Sequence, residues 1–110
     1  MKILKSIEEA RKFVYTNEVA VLAYLDLSTE LGKLMYSVLR RLESVSRGIL
    51  AYAVLDISMT GSERPVITAF IKGRQVFEQS DCFGNFKKDY QALRIGLRET
   101  LSSWGINPPF

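Results

Sequence analysis

Apolar and polar residues along this chain follow two different spacings, and each change of spacing marks a predicted element. Ser6 and Glu9 have the spacing of a helix capping box, in which the serine oxygen and the glutamate satisfy backbone N–H groups that would otherwise be unpaired. The helix that begins there is predicted to end at Thr16 and Asn17. Residues 2–4 before it are predicted to form a short edge strand. The apolar face of the helix carries Ala10, Phe13 and Val14.

Residues 19–25 form a short, uninterrupted apolar run, which predicts a strand buried on both faces. A helical spacing follows, and Arg47 and Gly48 predict where that helix closes. Residues 49–57 are a second buried run, so the pattern is strand, helix, strand with parallel pairing. The apolar positions of the helix are Leu31, Leu34, Met35, Val38, Leu39, Leu42 and Val45.

The second half of the chain predicts a hairpin and a final helix. A polar loop over residues 59–64 leads to strand 65–71, a tight turn at residues 72–74 and strand 75–79. A break at residues 80–85 precedes the helix, where Gly96 predicts close packing against a neighbour. The apolar positions of that helix are Phe86, Tyr90, Leu93, Leu97, Leu101 and Trp104. We therefore predict one α/β domain over residues 1–110, with a four- to five-stranded mixed sheet flanked by three helices.

Composition then removes several kinds of chemistry. The 110 residues include one cysteine and no histidine, so an internal disulfide, a zinc cluster of thiolates and a Ser-His-Asp triad are excluded within the chain. The 15 basic and 12 acidic residues give a net charge of +3 and are interspersed, as on an ordinary solvated surface. No apolar run is long enough to span a bilayer, and Glu8 and Glu9 do not fit a signal peptide. We expect a cytoplasmic protein without a metal, a cofactor or a membrane partner.

The order of elements, with a proline at the start of the hairpin, resembles the thioredoxin fold over nearly the whole chain. The resemblance aligns residues 21–25 with the family's buried strand and residues 26–33 with its active-site turn and helix start. It implies that Pro65 occupies the position of the family's proline, usually cis, which faces that active site. Within the family, this sequence is most similar to the non-catalytic thioredoxin-like domains of protein disulfide isomerases, which bind other proteins.

The sequence departs from the family at the positions that carry its catalytic side chains. Thr29, Glu30, Leu31 and Gly32 align with the C-x-x-C motif, so both thiols are missing. The family's buried acid falls near Ala23, which carries no charge. The stretch between the second buried strand and the hairpin is too short for the helix usually found there. Dithiol–disulfide exchange by the family mechanism is therefore not expected, and an enzyme is disfavoured.

Two candidate sites contain side chains that could do chemistry. Ser28, Thr29 and Glu30 lie at a helix start, where the hydroxyls could bind an anion or simply cap the helix, which explains these residue types fully. Cys82 could be a reactive thiol with a pKa lowered by Lys87 and Lys88, or a small apolar residue at a strand end. The capping and apolar interpretations are favoured.

Other segments could bind macromolecules. Arg64 and Pro65 could offer a backbone edge to an extended partner, or form a rigid strand start. The basic stripe of the last helix could touch nucleic acid, but no aromatic residues are interleaved with it, and a solvated face is favoured. A homodimer would use the aromatic C-terminus or the hairpin edge, or else the C-terminal tail folds back on its own domain. The stripe comprises Lys87, Gln91, Arg94 and Arg98; the dimer residues are Val76, Phe77, Trp104, Pro108, Pro109 and Phe110.

The sequence thus predicts a redox-inactive domain that binds an unidentified protein partner. A thiol-dependent redox or glutathione-type enzyme, which would use Cys82 or the helix start at Ser28 and Thr29, is the first alternative. A nucleic-acid accessory protein is the second.

Overall fold

The computed structural model describes residues 1–58 and 64–110. Most of the predicted loop over residues 59–64 lies outside these ranges, and only Arg64 of it is described. The elements in chain order are β1 (Lys2–Leu4), α1 (Ile7–Thr16), β2 (Val19–Leu25), α2 (Glu30–Val45), β3 (Ala51–Asp56), β4 (Val66–Ile71), β5 (Arg74–Gln79) and α3 (Phe86–Ser103).

These strands form one mixed sheet in the order β1-β3-β2-β4-β5. The first three pair in parallel, since the helices α1 and α2 connect them as crossovers. The last two pair antiparallel through the predicted hairpin. Its turn places Lys72 and Gly73 at φ 50° and 80°, the left-handed conformation that a two-residue hairpin turn requires. The predicted α/β architecture is confirmed, with five strands and three helices among residues 1–58 and 64–110.

Each helix begins at a residue whose side chain accepts a backbone N–H of the first turn. Ser6 Oγ accepts the N–H of Glu9 at 3.1 Å, and Asn85 Oδ1 accepts the N–H of Lys88, also at 3.1 Å. Glu9 Oε1 reaches back to the N–H of Lys5 at 3.3 Å, so the N-terminal turn is closed by side chains in both directions.

Helices cover the two faces of the sheet unequally. The larger core lies under α2 and α3, where residues such as Leu39, Leu42 and Leu97 are fully buried. The smaller core lies under α1 and contains Phe13 and Leu22. Gly96 explains how α3 approaches the sheet: a Cβ there would lie 3.0 Å from the Phe77 ring, so the predicted close packing is confirmed.

Some boundaries and faces differ from those predicted. The predicted strand 49–57 begins only at Ala51, because Arg47 and Gly48 both adopt positive φ and the chain is still turning at Ile49, which is 47% exposed. Trp104 does not share the apolar face of α3, because it is the C-cap of the helix and is 47% exposed. The guanidinium carbon of Arg74 lies over its ring, 5.4 Å from the ring centroid. Phe110, in contrast, is folded back into the larger core.

Candidate functional site

The turn between β2 and α2 is held by its own side chains. Thr29, not Ser28, is the N-cap: its hydroxyl accepts the N–H of Gly32 at 3.0 Å and donates to the carbonyl oxygen of Asp26 at 2.8 Å. Ser28 donates to Asp26 twice: Asp26 Oδ1 accepts the Ser28 N–H at 2.9 Å and the Ser28 hydroxyl at 2.5 Å. Both hydroxyls are therefore engaged in forming the turn, and the Glu30 side chain extends into solvent, 3.9 Å from Lys33 Nζ.

Gly32 is required by the same turn. A Cβ at this position would collide with the carbonyl oxygen of Asp26, the oxygen that also accepts the N–H and the hydroxyl of Thr29. A carbonyl fixed by two hydrogen bonds cannot move aside without breaking them. The turn therefore excludes a side chain at residue 32, and a cysteine cannot be accommodated there in this backbone conformation.

Asp56 ties this turn to the sheet. Its carboxylate ends β3 next to Leu25, and Oδ1 accepts the N–H of Ser58 at 3.1 Å and of Leu27 at 3.4 Å. Burial opposes ionisation of this carboxyl, but the hydrogen bonds from Ser58 and Leu27 outweigh it and lower the pKa of Asp56. The sequence analysis missed this residue, although an acid directly after a buried strand was a signal available to it.

Arg64 and Pro65 lie at the same end of the sheet as the turn, because Val66 pairs with Tyr24, one residue before the end of β2. No peptide bond in residues 1–58 and 64–110 is cis, so the Arg64–Pro65 bond is trans, unlike the usual state that the resemblance implied. The Arg64 guanidinium pairs with Asp81 at 2.9 Å. This ion pair is largely exposed, so it joins the Pro65 segment to the β5–α3 connection but contributes little stability.

Cys82 lies in the β5–α3 connection and is half-buried against the larger core. Burial raises the pKa of its thiol, and the nearby carboxylates of Asp89 and Asp81 raise it further. The disfavoured alternative, in which Lys87 and Lys88 lower this pKa, is not supported, since burial and acidic groups dominate around the sulfur. A thiol with a raised pKa is a poor nucleophile at neutral pH.

Asp89 organises the connection in which Cys82 lies. Its fully buried carboxylate accepts three backbone N–H groups, from Phe83 at 2.7 Å, Gly84 at 3.0 Å and Asn85 at 3.1 Å. The charge pattern of α3 alone would place Asp89 among its solvated charged residues. Asp89 points inward because three consecutive backbone N–H groups before the helix donate hydrogen bonds to its carboxylate.

We call the three hydrogen bonds from the backbone of residues 83–85 to the Asp89 carboxylate the Asp89 clamp. Two aromatic side chains next to this clamp remain exposed to solvent. Phe83 is 69% exposed, and Phe86 is 39% exposed while its ring stacks on Tyr90 with centroids 6.1 Å apart. We name Arg64, Asp81, Phe83 and Phe86 together the Phe83 patch. Asp81 and Phe83 lie two residues apart in the β5–α3 connection, and Asp89 hydrogen-bonds the backbone of that connection. Exposed aromatic residues are enriched at protein-binding surfaces.

The basic stripe of α3 faces solvent, and two of its side chains hydrogen-bond each other. Gln91 Oε1 accepts two N–H groups of Arg94, at 3.1 Å and 2.8 Å, while Lys87 and Arg98 are exposed. Within the part of the chain that the structure describes, no three His, Cys, Asp or Glu side chains form a cluster that could hold a metal ion. In the same ranges no helix is long and apolar enough to cross a membrane.

Comparison with solved structures identifies the fold. The chain is similar to a variant thioredoxin from Halobacterium salinarum NRC-1, with 18% identity over 89% of this chain and 88% of that chain and a TM-score of 0.68. It is also similar to mitochondrial thioredoxin 3 from Saccharomyces cerevisiae in its oxidised form (15% identity, 90% and 94% covered, TM-score 0.68). A thioredoxin from Trypanosoma brucei brucei aligns with 12% identity over 91% and 89% of the chains, with a TM-score of 0.70.

The chain therefore has a thioredoxin-like fold, as the order of its elements predicted. No protein-family model matches the sequence, and no curated protein matches it. Identities this low show the fold alone, so the function has to be argued from the residues of the site.

Proposed function

We propose that this protein is a redox-inactive thioredoxin-like domain that binds another protein through the Phe83 patch. The start of α2 supports the first part of this proposal, the absence of redox activity. The two residues aligned with thiols are Thr29, whose hydroxyl forms the cap, and Gly32, where any side chain meets the Asp26 carbonyl. The absence of the dithiol is thus built into the backbone of the turn as well as into the sequence.

The single thiol does not replace the missing pair. Cys82 lies on a different segment, has a raised pKa, and has no second cysteine in the chain with which to form a disulfide. The alternative of a thiol-dependent enzyme is therefore not favoured. The low cysteine content also supports a cytoplasmic location, which is part of the proposal.

The exposed side chains of the Phe83 patch support the second part of the proposal, the binding of another protein. Phe83 offers a large apolar side chain whose backbone is fixed by Asp89, so binding would immobilise little that is not already ordered. Arg64 and Asp81 supply one charge of each sign beside it. An aromatic anchor with a polar rim is suited to a pocket on a folded protein partner.

Affinity capture from native lysate tests the proposal when single substitutions are compared. Phe83→Ser should remove the captured partner, because it deletes the exposed ring without touching the core. Trp104→Ser is the matched control, since Trp104 is also an exposed aromatic, 47% accessible, but lies at the opposite end of α3. The proposal fails if Phe83→Ser retains the proteins bound by the wild type, or if both substitutions lose them equally.

A further inference from the structure

An open groove runs along one side of α1. The helix buries Ala10, Phe13 and Val14 against the sheet, and its flank on the β4 side leaves Ile7 57% and Tyr15 77% exposed. Arg11 lies between these two, one helical turn from each. The groove encloses about 220 Å³, and the floor and far side include Leu22, Tyr24 and Phe70. We call this feature the α1 groove.

The groove exists because the two sheet faces are covered unequally. Both α2 and α3 contribute to the larger core, on the face opposite α1. On the α1 face, α1 is the one helix among residues 1–58 and 64–110. Tyr24 and Phe70, from neighbouring strands, therefore remain only partly buried there. Together with Ile7 and Tyr15 they form an apolar strip, and a contiguous exposed apolar surface is a candidate interaction site.

The two sides of the groove carry opposite charges. Arg11 is on the helical side, where it is exposed. Glu78 of β5 is on the strand side: it pairs with Thr68, which pairs with Leu22 of the groove floor, so all three side chains project from the same face. The Glu78 carboxylate also raises the pKa of the Tyr24 phenol, after the larger effect of burial, which agrees with its place on this face.

We propose that the α1 groove is the interface of a symmetric homodimer. A two-fold axis lying along the groove exchanges its two sides, so Arg11 of one copy meets Glu78 of the other, and the pair occurs twice. The same rotation lays the apolar strips of Ile7, Tyr15, Tyr24 and Phe70 against each other. A second copy of this chain thus matches both the apolar strip and the opposed charges of Arg11 and Glu78.

This interface differs from the surfaces on which the sequence predicted a dimer. Phe110 is packed into its own core, and Val76 and Phe77 are partly buried against the larger core. The α1 groove shares no residue with the Phe83 patch, so either proposal can be wrong without affecting the other.

Sedimentation velocity on the full chain across a wide concentration range tests the proposal by charge reversal. Arg11→Glu and Glu78→Arg should each weaken the dimer by at least about tenfold, because each change creates two repulsive pairs. The double substitution restores both pairs with reversed sign and should return the dissociation constant to within about threefold of the wild type. Both residues are exposed, and circular dichroism checks that each variant folds.

Lys12→Glu is the control, because it makes the same change of charge on the opposite flank of α1, where Lys12 lines the cleft toward β1. It should leave the dimer unchanged. The proposal is overturned if the wild type is monomeric at every concentration, if neither single reversal weakens the dimer, or if the double reversal fails to restore it. A loss of the dimer in Lys12→Glu equal to that in Arg11→Glu would also overturn it.

Discussion

Substitution of Gly32 by alanine separates the helix propensity of this position from its packing. Alanine is about 1 kcal/mol more favourable than glycine in a helix interior, so propensity alone predicts that Gly32→Ala stabilises the protein. The structure predicts the opposite sign. The new Cβ would collide with the Asp26 carbonyl oxygen, and relieving the collision would disturb the hydrogen bonds from the N–H and hydroxyl of Thr29.

The expected size follows from these two effects. Overpacking against a well-held neighbour costs about 1–3 kcal/mol, and the upper end applies because the neighbour is backbone. Weakening one hydrogen bond of Thr29 adds about 1 kcal/mol. After subtraction of the propensity gain, Gly32→Ala should lower the free energy of unfolding by about 3 kcal/mol, which corresponds to a fall in melting temperature of about 15 °C.

Urea denaturation and thermal melting of the wild type and variant measure this difference. Gly96→Ala is the comparison, because its Cβ would meet only the edge of the Phe77 ring, which can shift, and the change should stay within about 1 kcal/mol. A Gly32→Ala protein as stable as the wild type, or more stable, would refute the reasoning and would reopen residue 32 to a cysteine.

Two further predictions concern the β5–α3 connection. Asp89→Ala removes the acceptor of three backbone N–H groups and should destabilise the protein by about 3 kcal/mol in urea denaturation. The control Glu99→Ala, at an exposed residue, should change stability by less than about 0.5 kcal/mol. Equal effects of the two substitutions would contradict the structural role given to Asp89. Cys82 should react with iodoacetamide more slowly than a small free thiol at neutral pH, and its rate should rise at higher pH than that thiol's, because burial, Asp89 and Asp81 raise its pKa. Asp81→Asn should move the profile back toward lower pH, and a profile that begins below that of the free thiol would show the account of Cys82 to be wrong.

The sequence was sufficient for the order of elements, because each depended on local signals. Ser6 and Glu9 marked the start of α1, and the short apolar runs around α2 predicted parallel strands. The turn at Lys72 and Gly73 predicted the hairpin. The sequence also showed that the C-x-x-C positions hold no cysteine. These features require only neighbouring residues and simple periodicities, so one sequence can show them.

What the sequence could not show depends on contacts between distant segments. The inward position of Asp89 follows from three amides of the preceding loop, not from the charge pattern of α3. Which C-terminal aromatic residue is buried, Phe110 and not Trp104, depends on how the tail folds back. The collision at Gly32 depends on the path of the turn around Asp26, which no spacing predicts.

Reduction of insulin disulfides tests the central claim most directly. The wild-type chain, supplied with dithiothreitol, should give the same onset of insulin precipitation as dithiothreitol alone, and Cys82→Ser should behave identically. An active thioredoxin in the same buffer serves as the positive control. An acceleration by the wild type that is lost in Cys82→Ser would contradict the account, because it would show that the one remaining thiol performs redox chemistry.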